Sequence, residues 1–222
     1  MTALLPAAVL WDMDGTLVDT EPYWMAAETD LVHSYGGTWT MDDAVQLVGS
    51  GLWHSARVLQ SHGVTLSEDE IIALMTDRVL DRIAEEVPWR TGSRELLQEL
   101  NELGVPCGLV TMSVRRMALG VVDSLGFEGF AAVIAGDNVT HSKPHPEPYE
   151  LGAAALGVNI ADCVALEDSA PGIASAVAAG AVVIGVPLHV PVPEDSSFDT
   201  WHTVEGRTAE HLFELFRARR SA

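Results

Sequence analysis

Residues 8–20 read AVLWDMDGTLVDT, an apolar run that ends in two carboxylates, Asp12 and Asp14, with Gly15 beside them and Asp19 close behind. Two side chains spaced by two on an extended chain point to the same side. Two carboxylates so placed repel each other unless positive charge lies between them. A third acidic station, Glu167–Asp168, sits in ALEDSAPGI, again directly after an apolar run. Asp12, Asp14 and Asp168 together make a natural seat for a hard divalent cation. Magnesium in particular takes oxygen ligands, typically one or two carboxylates with waters and a substrate phosphate. A calcium loop of the EF-hand type needs its glycine sixth and a glutamate twelfth, whereas Gly15 stands fourth, so that reading fails. A D-x-D pair also suits a metal-dependent sugar-nucleotide transferase, and the pair alone does not separate the two.

Two more residues belong to this chemistry. Lys143, in HSKPHPEPY, is the only lysine in the chain. A compact ammonium suits a site that needs a point charge between carboxylate and phosphate. Thr111, in GLVTMS, puts a hydroxyl after a third apolar run. Taken singly, Thr111, Asp168 and Ser169 would each also serve as a helix N-cap.

Short apolar runs alternating with helical patterns position these residues, which predicts an α/β fold with a mainly parallel sheet. Strands are expected at 7–11, 106–111, 131–135, 163–166 and 181–186, and a short one at 200–204. Helices are expected at 93–103, 115–125, 147–156, 170–179 and 209–217. Gly104, Gly126, Gly157 and Gly180 stand where helices end in a left-handed residue. In an open parallel sheet ligands bind at the carboxyl ends of the strands, so all four chemical stations point into one crevice. The interval 18–89 has no convincing strand. It reads as helices at 22–35, 41–48, 52–62 and 67–86, the last with a Ser67–Glu70 capping box and Ile71, Ile72, Met75, Val79 and Ile83 at helical spacing. Met41 and Met75 are read as core, Gly49–Ser50–Gly51 as a loop and PWRTGSRE, from Pro88, as the return hinge. A proline-rich polar loop follows Pro187.

The order DMDGT, VT, KP, EDSAPGI resembles the haloacid dehalogenase superfamily, and the match spans nearly the whole α/β part. The resemblance implies a Rossmann-like core (1–17 and 90–222) with an inserted helical cap (18–89) of the phosphatase and β-phosphoglucomutase branch. It further implies a magnesium-dependent phosphoric monoester hydrolase working through an aspartyl-phosphate. Asp12 would be the nucleophile and Asp14 the general acid and base. Magnesium would bind the Asp12 carboxylate, the Asp14 carbonyl and Asp168, with Glu167 helping directly or through water. Thr111 and Lys143 would hold the phosphoryl oxygens. Dehalogenases proper lack the second aspartate, which favours phosphoryl transfer here. Mutase relatives carry a histidine and an arginine where this chain has Trp24 and Trp53, which favours hydrolysis over a phosphosugar mutase. Trp24 and Trp53 are read either as pocket walls or as cap core. Glu21, Ser113 and Arg115 are further substrate-binding candidates, and His54 and Arg57 weaker ones. A non-enzymatic phosphate-binding module would be expected to lose a catalytic station, and none is lost.

The remaining composition narrows the partners. A net charge of −20, from 32 acidic and 12 basic residues, argues against nucleic acid and anionic membranes, which need a basic footprint. No apolar run reaches the roughly 18 residues of a membrane span, and MTALLPAAVL lacks the positive start of a secretory leader. Cys107 and Cys163 lie in apolar runs and read as buried hydrophobes of a reducing compartment. The expectation is a cytoplasmic enzyme, a monomer or weak dimer, acting on a small phosphorylated metabolite such as a sugar phosphate.

Overall fold

In the computed structural model, which describes residues 4–192 and 195–221, strand β1 (Ala8–Trp11) lies in the middle of a six-stranded sheet and is buried along its whole length. On one side it pairs with β2 (Cys107–Val110), which pairs with β3 (Ala132–Ile134). On the other side it pairs with β4 (Cys163–Glu167), followed by β5 (Val182–Gly185) and the two-residue β6 (Asp199–Thr200). Every pairing is parallel, and the order is β3-β2-β1-β4-β5-β6. The chain therefore changes direction between β1 and β4, and the crevice outside their carboxyl ends is where such a sheet binds ligands.

Side-chain alternation sorts the central strands into two cores. Val9 and Trp11 face one, and Ala8 and Leu10 the other. The second is thin because helices α7 (Glu147–Ala155) and α8 (Ala170–Ala179) come close to the sheet. A Cβ on Gly152 would stand 2.9 Å from Val110, and one on Gly108 would stand 3.1 Å from Leu10. The first core is thicker. It takes in α5 (Ser93–Glu102), α6 (Arg115–Asp123) and α9 (Ala209–Ser221) and continues into the helices that follow β1.

Those helices are α1 (Glu21–Ser34), α2 (Met41–Val45), α3 (Leu52–Ser61) and α4 (Glu68–Glu85). The Ser67–Glu70 capping box starts α4, and Ile71, Ile72, Met75, Val79 and Ile83 are all buried, as their spacing predicts. Outgoing and returning chain meet in a two-stranded link. Val18 bridges Trp89 antiparallel, Asp19 N–H donates to the Pro88 carbonyl at 2.7 Å and Arg90 N–H to the Leu17 carbonyl at 3.0 Å.

The five main strands lie within one residue of expectation, and Gly104, Gly126, Gly157 and Gly180 all adopt positive φ. Three local expectations need correction. Met41 is not core but 67% exposed, because it opens α2 behind a Thr40–Asp43 capping box that turns the first helical turn to solvent. That helix also stops at Val45 instead of 48. The strand expected at 200–204 is only Asp199–Thr200. Trp201 makes one more bond to the Gly185 carbonyl and then leaves the sheet, so Trp201 and Val204 are buried by packing in the thicker core and not by pairing. Both cysteines are buried and free. Among the described residues, no helix is long and apolar enough to cross a membrane.

Candidate active site

The carboxyl ends of β1, β2 and β4, with the connection from β3 to α7, bring Asp12, Asp14, Thr111, Asp168 and Lys143 to the wall of one pocket. Lys143 is its anchor. The Nζ, on a side chain only 3% exposed, donates to Asp12 Oδ1 at 2.7 Å, Glu167 Oε1 at 2.6 Å and the Val110 carbonyl at 2.9 Å. Burial disfavours the ammonium, but Asp12 and Glu167 outweigh that and raise its pKa. Glu167 is fully buried at the end of β4. Its Oε1 also accepts from the Tyr149 hydroxyl at 2.7 Å, and its Oε2 from Ser169 Oγ at 3.2 Å. Ser169 in turn caps α8 by accepting from Gly172 N–H at 3.2 Å. Only glycine fits at that position, since a Cβ on Gly172 would lie 2.0 Å from the Glu167 carboxylate.

Asp14 is held by different donors. Its Oδ1 accepts from Thr20 Oγ1 at 2.5 Å and the Trp24 indole at 3.3 Å. Its Oδ2 accepts from Ser113 Oγ at 2.7 Å and Thr111 Oγ1 at 3.2 Å. Thus the helical insert, through Thr20 and Trp24, and the sheet, through Thr111 and Ser113, clasp the same carboxylate. Gly15 (φ +84°) then turns the chain away, and Asp168 lies so near it that a Cβ there would meet Asp168 Oδ2 at 2.0 Å.

Carboxylate oxygens of Asp12, Glu167 and Asp168 lie within 4.8 Å of one another. Lys143 pairs with Asp12 and Glu167, Arg90 adds positive charge facing Asp168, and Asp12 Oδ2 has no hydrogen-bond partner. Burial above all, then the charge of Glu167, pushes Asp12 up to about 7 against the pull of Lys143. Burial followed by Asp12 and Glu167 raises Asp168 well above the carboxylate range. An orphaned buried oxygen and a surplus of buried negative charge fit a hard cation placed between Asp12 and Asp168. The residues present can therefore hold a divalent metal ion.

The other predicted residues divide. Ser113, Glu21 and Trp24 line the same pocket, and burial, then Asp14 and Asp19, pushes Glu21 up to about 7. Trp53 does not. It lines a neighbouring hollow with His54 and Arg57, its indole donating to Asp69 at 3.2 Å. Arg115 does not reach the pocket either. Its guanidinium donates to the Val133 carbonyl at 3.0 Å, at the far side of the β2–α6 turn. His141 and His145 are exposed and stacked, and His141 pairs with Glu147 at 2.7 Å.

Sequence reasoning missed Thr20, Tyr149, Arg90 and Glu28. Arg90 is buried and donates to the carbonyls of Gly15 (2.6 Å), Pro187 (3.0 Å) and Val186, so the returning hinge is tied to the loop that carries Asp14. An arginine after Pro88–Trp89 at an expected hinge was the available signal.

Over residues 9–186 the chain matches the family described as haloacid dehalogenase-like hydrolase. Hexitol phosphatase B of Escherichia coli (strain K12) is 32% identical to it over 188 residues, 81% of this chain and 83% of that protein. Fructose-1-phosphate phosphatase YqaB of the same strain is 31% identical over 198 residues, 82% and 97% respectively. CbbY of Rhodobacter sphaeroides, solved in complex with phosphate, superposes with a TM-score of 0.83 over 91% of this chain and 96% of that one, at 26% identity.

Proposed function

The chain belongs to the haloacid dehalogenase-like hydrolases, and from that premise we propose that it is a magnesium-dependent phosphatase of a small phosphorylated metabolite. The observation that carries this reading is the Asp12 carboxylate, with one oxygen tied to Lys143 and the other free at the pocket wall. A carboxylate held on one side and free on the other is oriented for nucleophilic attack. The phosphatase names of two relatives support the reaction class. We assign the α/β part (1–17 and 90–222) as the core and 18–89 as the cap, joined at the Val18–Trp89 link.

The Asp12 carboxylate attacks phosphorus in line. A bond forms between one of its oxygens and phosphorus as the bond to the leaving oxygen breaks. Asp14, acting as general acid, gives a proton to that oxygen, and the alcohol departs. Asp14 then takes a proton from water as the water oxygen attacks the aspartyl-phosphate, which releases phosphate and restores Asp12. The sum is one monoester and one water giving one alcohol and one phosphate. Lys143 and Thr111 hold the oxygens of the transferring group, and Lys143 offsets their charge. Magnesium would be held by Asp12, Asp168 and the Asp14 carbonyl, where it supplies positive charge against the phosphoryl oxygens and keeps the Asp12 carboxylate ionised. Glu167, whose oxygens already accept from Lys143, Tyr149 and Ser169, contributes charge and orientation and not a free ligand atom. The Trp24 indole on Asp14 stands where mutase relatives carry a histidine, which supports release to water over return to a sugar.

Hydrolysis of p-nitrophenyl phosphate should require magnesium and stop with a chelator. A panel of phosphorylated metabolites should then yield free phosphate and no isomerised sugar phosphate. Chelator-insensitive release, or isomerised product without free phosphate, would sink this reading.

A further inference from the structure

The wall of the pocket furthest from Lys143 differs from what a polyhydroxylated substrate needs. It is built from Leu47, Leu52, Ala56, Ile71, Ile72 and Met75 on α3, α4 and the turn after α2. Into this apolar wall α1 places Glu28, a residue only 4% exposed; the Trp39 indole lies near enough to draw its pKa down, yet neither Glu28 Oε2 nor the indole N–H completes a hydrogen bond. A buried acceptor without a partner costs about 1–3 kcal/mol and calls for an explanation. Five carboxyl groups line the pocket (Asp12, Asp14, Glu21, Glu28 and Asp168), and Lys143 is the only cation among its lining residues. That ammonium is already committed to Asp12 and Glu167. The end of the pocket at Glu28 and Glu21 thus carries acid with no base to meet it. A second anionic group there, a carboxylate or another phosphate, would find no cation to offset it and would raise the two acids further. A cation would gain a charge-assisted hydrogen bond in a desolvated place.

We propose that this pocket selects a phosphomonoester whose leaving group is a short hydrocarbon bearing an amine, with the ammonium on Glu28 and the hydrocarbon against Ile71, Ile72 and Met75. The inference rests on the phosphatase reading and narrows its substrate class. Burial, then the charge of Glu21, pushes Glu28 up to about 8, and a cation set against it would draw it back toward the ionised form. An amine phosphate seats its dianion at Lys143 and its cation at Glu28. A hydroxyl-rich sugar would set part of its hydroxyls against aliphatic carbon, with Ser50 and Ser55 the hydroxyl groups this part of the lining offers it.

The test is a matched substrate series with the magnesium-loaded enzyme: ω-aminoalkyl, ω-hydroxyalkyl, plain alkyl and ω-carboxyalkyl phosphates over a ladder of chain lengths, with p-nitrophenyl phosphate alongside. At the best length kcat/KM should favour the amine over the plain alkyl ester by about tenfold or more, with the carboxylate slowest. Glu28→Gln should cut the amine-to-alkyl ratio by about tenfold and raise the carboxylate-to-alkyl ratio. A purely structural role would lower all substrates together and leave both ratios fixed. Equal rates for amine and alkyl esters, or preference for the hydroxyalkyl ester, would overturn the inference and leave the phosphatase standing. No phosphate from any compound, p-nitrophenyl phosphate included, would overturn the phosphatase reading and this inference with it.

Discussion

Asp12→Asn should reduce phosphate release by roughly 10^4-fold or more, the scale on which an enzyme loses its nucleophile, while the protein stays folded. The geometry explains why both halves hold. An asparagine oxygen can still accept from Lys143 Nζ, where Asp12 Oδ1 now lies at 2.7 Å, and Lys143 keeps Glu167 and the Val110 carbonyl. The free side of the residue becomes an amide, which cannot form the acyl-phosphate. The substitution also removes a carboxyl that burial raises to about 7, so it relieves a crowded acidic site and costs no packing. Thermal melting reads the fold, and magnesium-supported release of phosphate reads the chemistry. A variant that melts like the parent and still turns over would remove Asp12 from the nucleophile's role.

Lys143→Met should have the largest effect on stability. The side chain sits at the centre of a buried cluster with Asp12, Glu167 and Tyr149. Removing one partner of a buried ion pair leaves charge without compensation and costs about 3–5 kcal/mol. For a chain of this size that is on the order of 10 °C in thermal midpoint. The deficit should be greatest in chelator at alkaline pH. Asp12, raised to about 7 in the folded protein against 3.8 for a free aspartate, holds a proton between those two values that the unfolded chain has released. The stability contributed by that proton is full below pH 3.8 and is lost as pH rises through about 7. The melting deficit of Lys143→Met relative to the parent should therefore shrink as pH falls from 8 toward 5. A midpoint equal to the parent's in chelator at pH 8 would show that Lys143 is not neutralising buried carboxylates. Activity should fall with it, because the same ammonium faces the transferring group.

The stations at strand ends were legible because each is local. An apolar run followed by Asp12, Thr111 or Glu167–Asp168 states both the strand and where it ends, and a parallel sheet brings such ends together. Lys143 was legible as the one lysine in an acidic chain. What could not be read depends on the helical insert settling onto the sheet. Thr20 and Trp24 reach Asp14, and Glu28 comes to the pocket, only because α1 packs where it does. Trp53 sits beside Trp24 in kind but not in place, since α3 turns it toward Asp69. Arg115 follows Ser113 closely in sequence, yet it starts α6 and bonds back to β3, while Ser113 still faces Asp14. Tyr149 has no sequence signal beyond its place in the helix expected at 147–156; its ring is buried, and its hydroxyl orients Glu167.

The most direct test of the account is the covalent step. Given p-nitrophenyl phosphate, whose leaving group departs without an acid, Asp14→Asn should accept the phosphoryl group onto Asp12 and be slow to pass it to water, because the base that activates the water is gone. Mixing that variant with substrate and magnesium, quenching in acid and mapping peptides by mass spectrometry should find one phosphoryl group on the peptide 8–20, at Asp12. Alcohol released in step with an unmodified chain, or a phosphoryl group on any other residue, would contradict it.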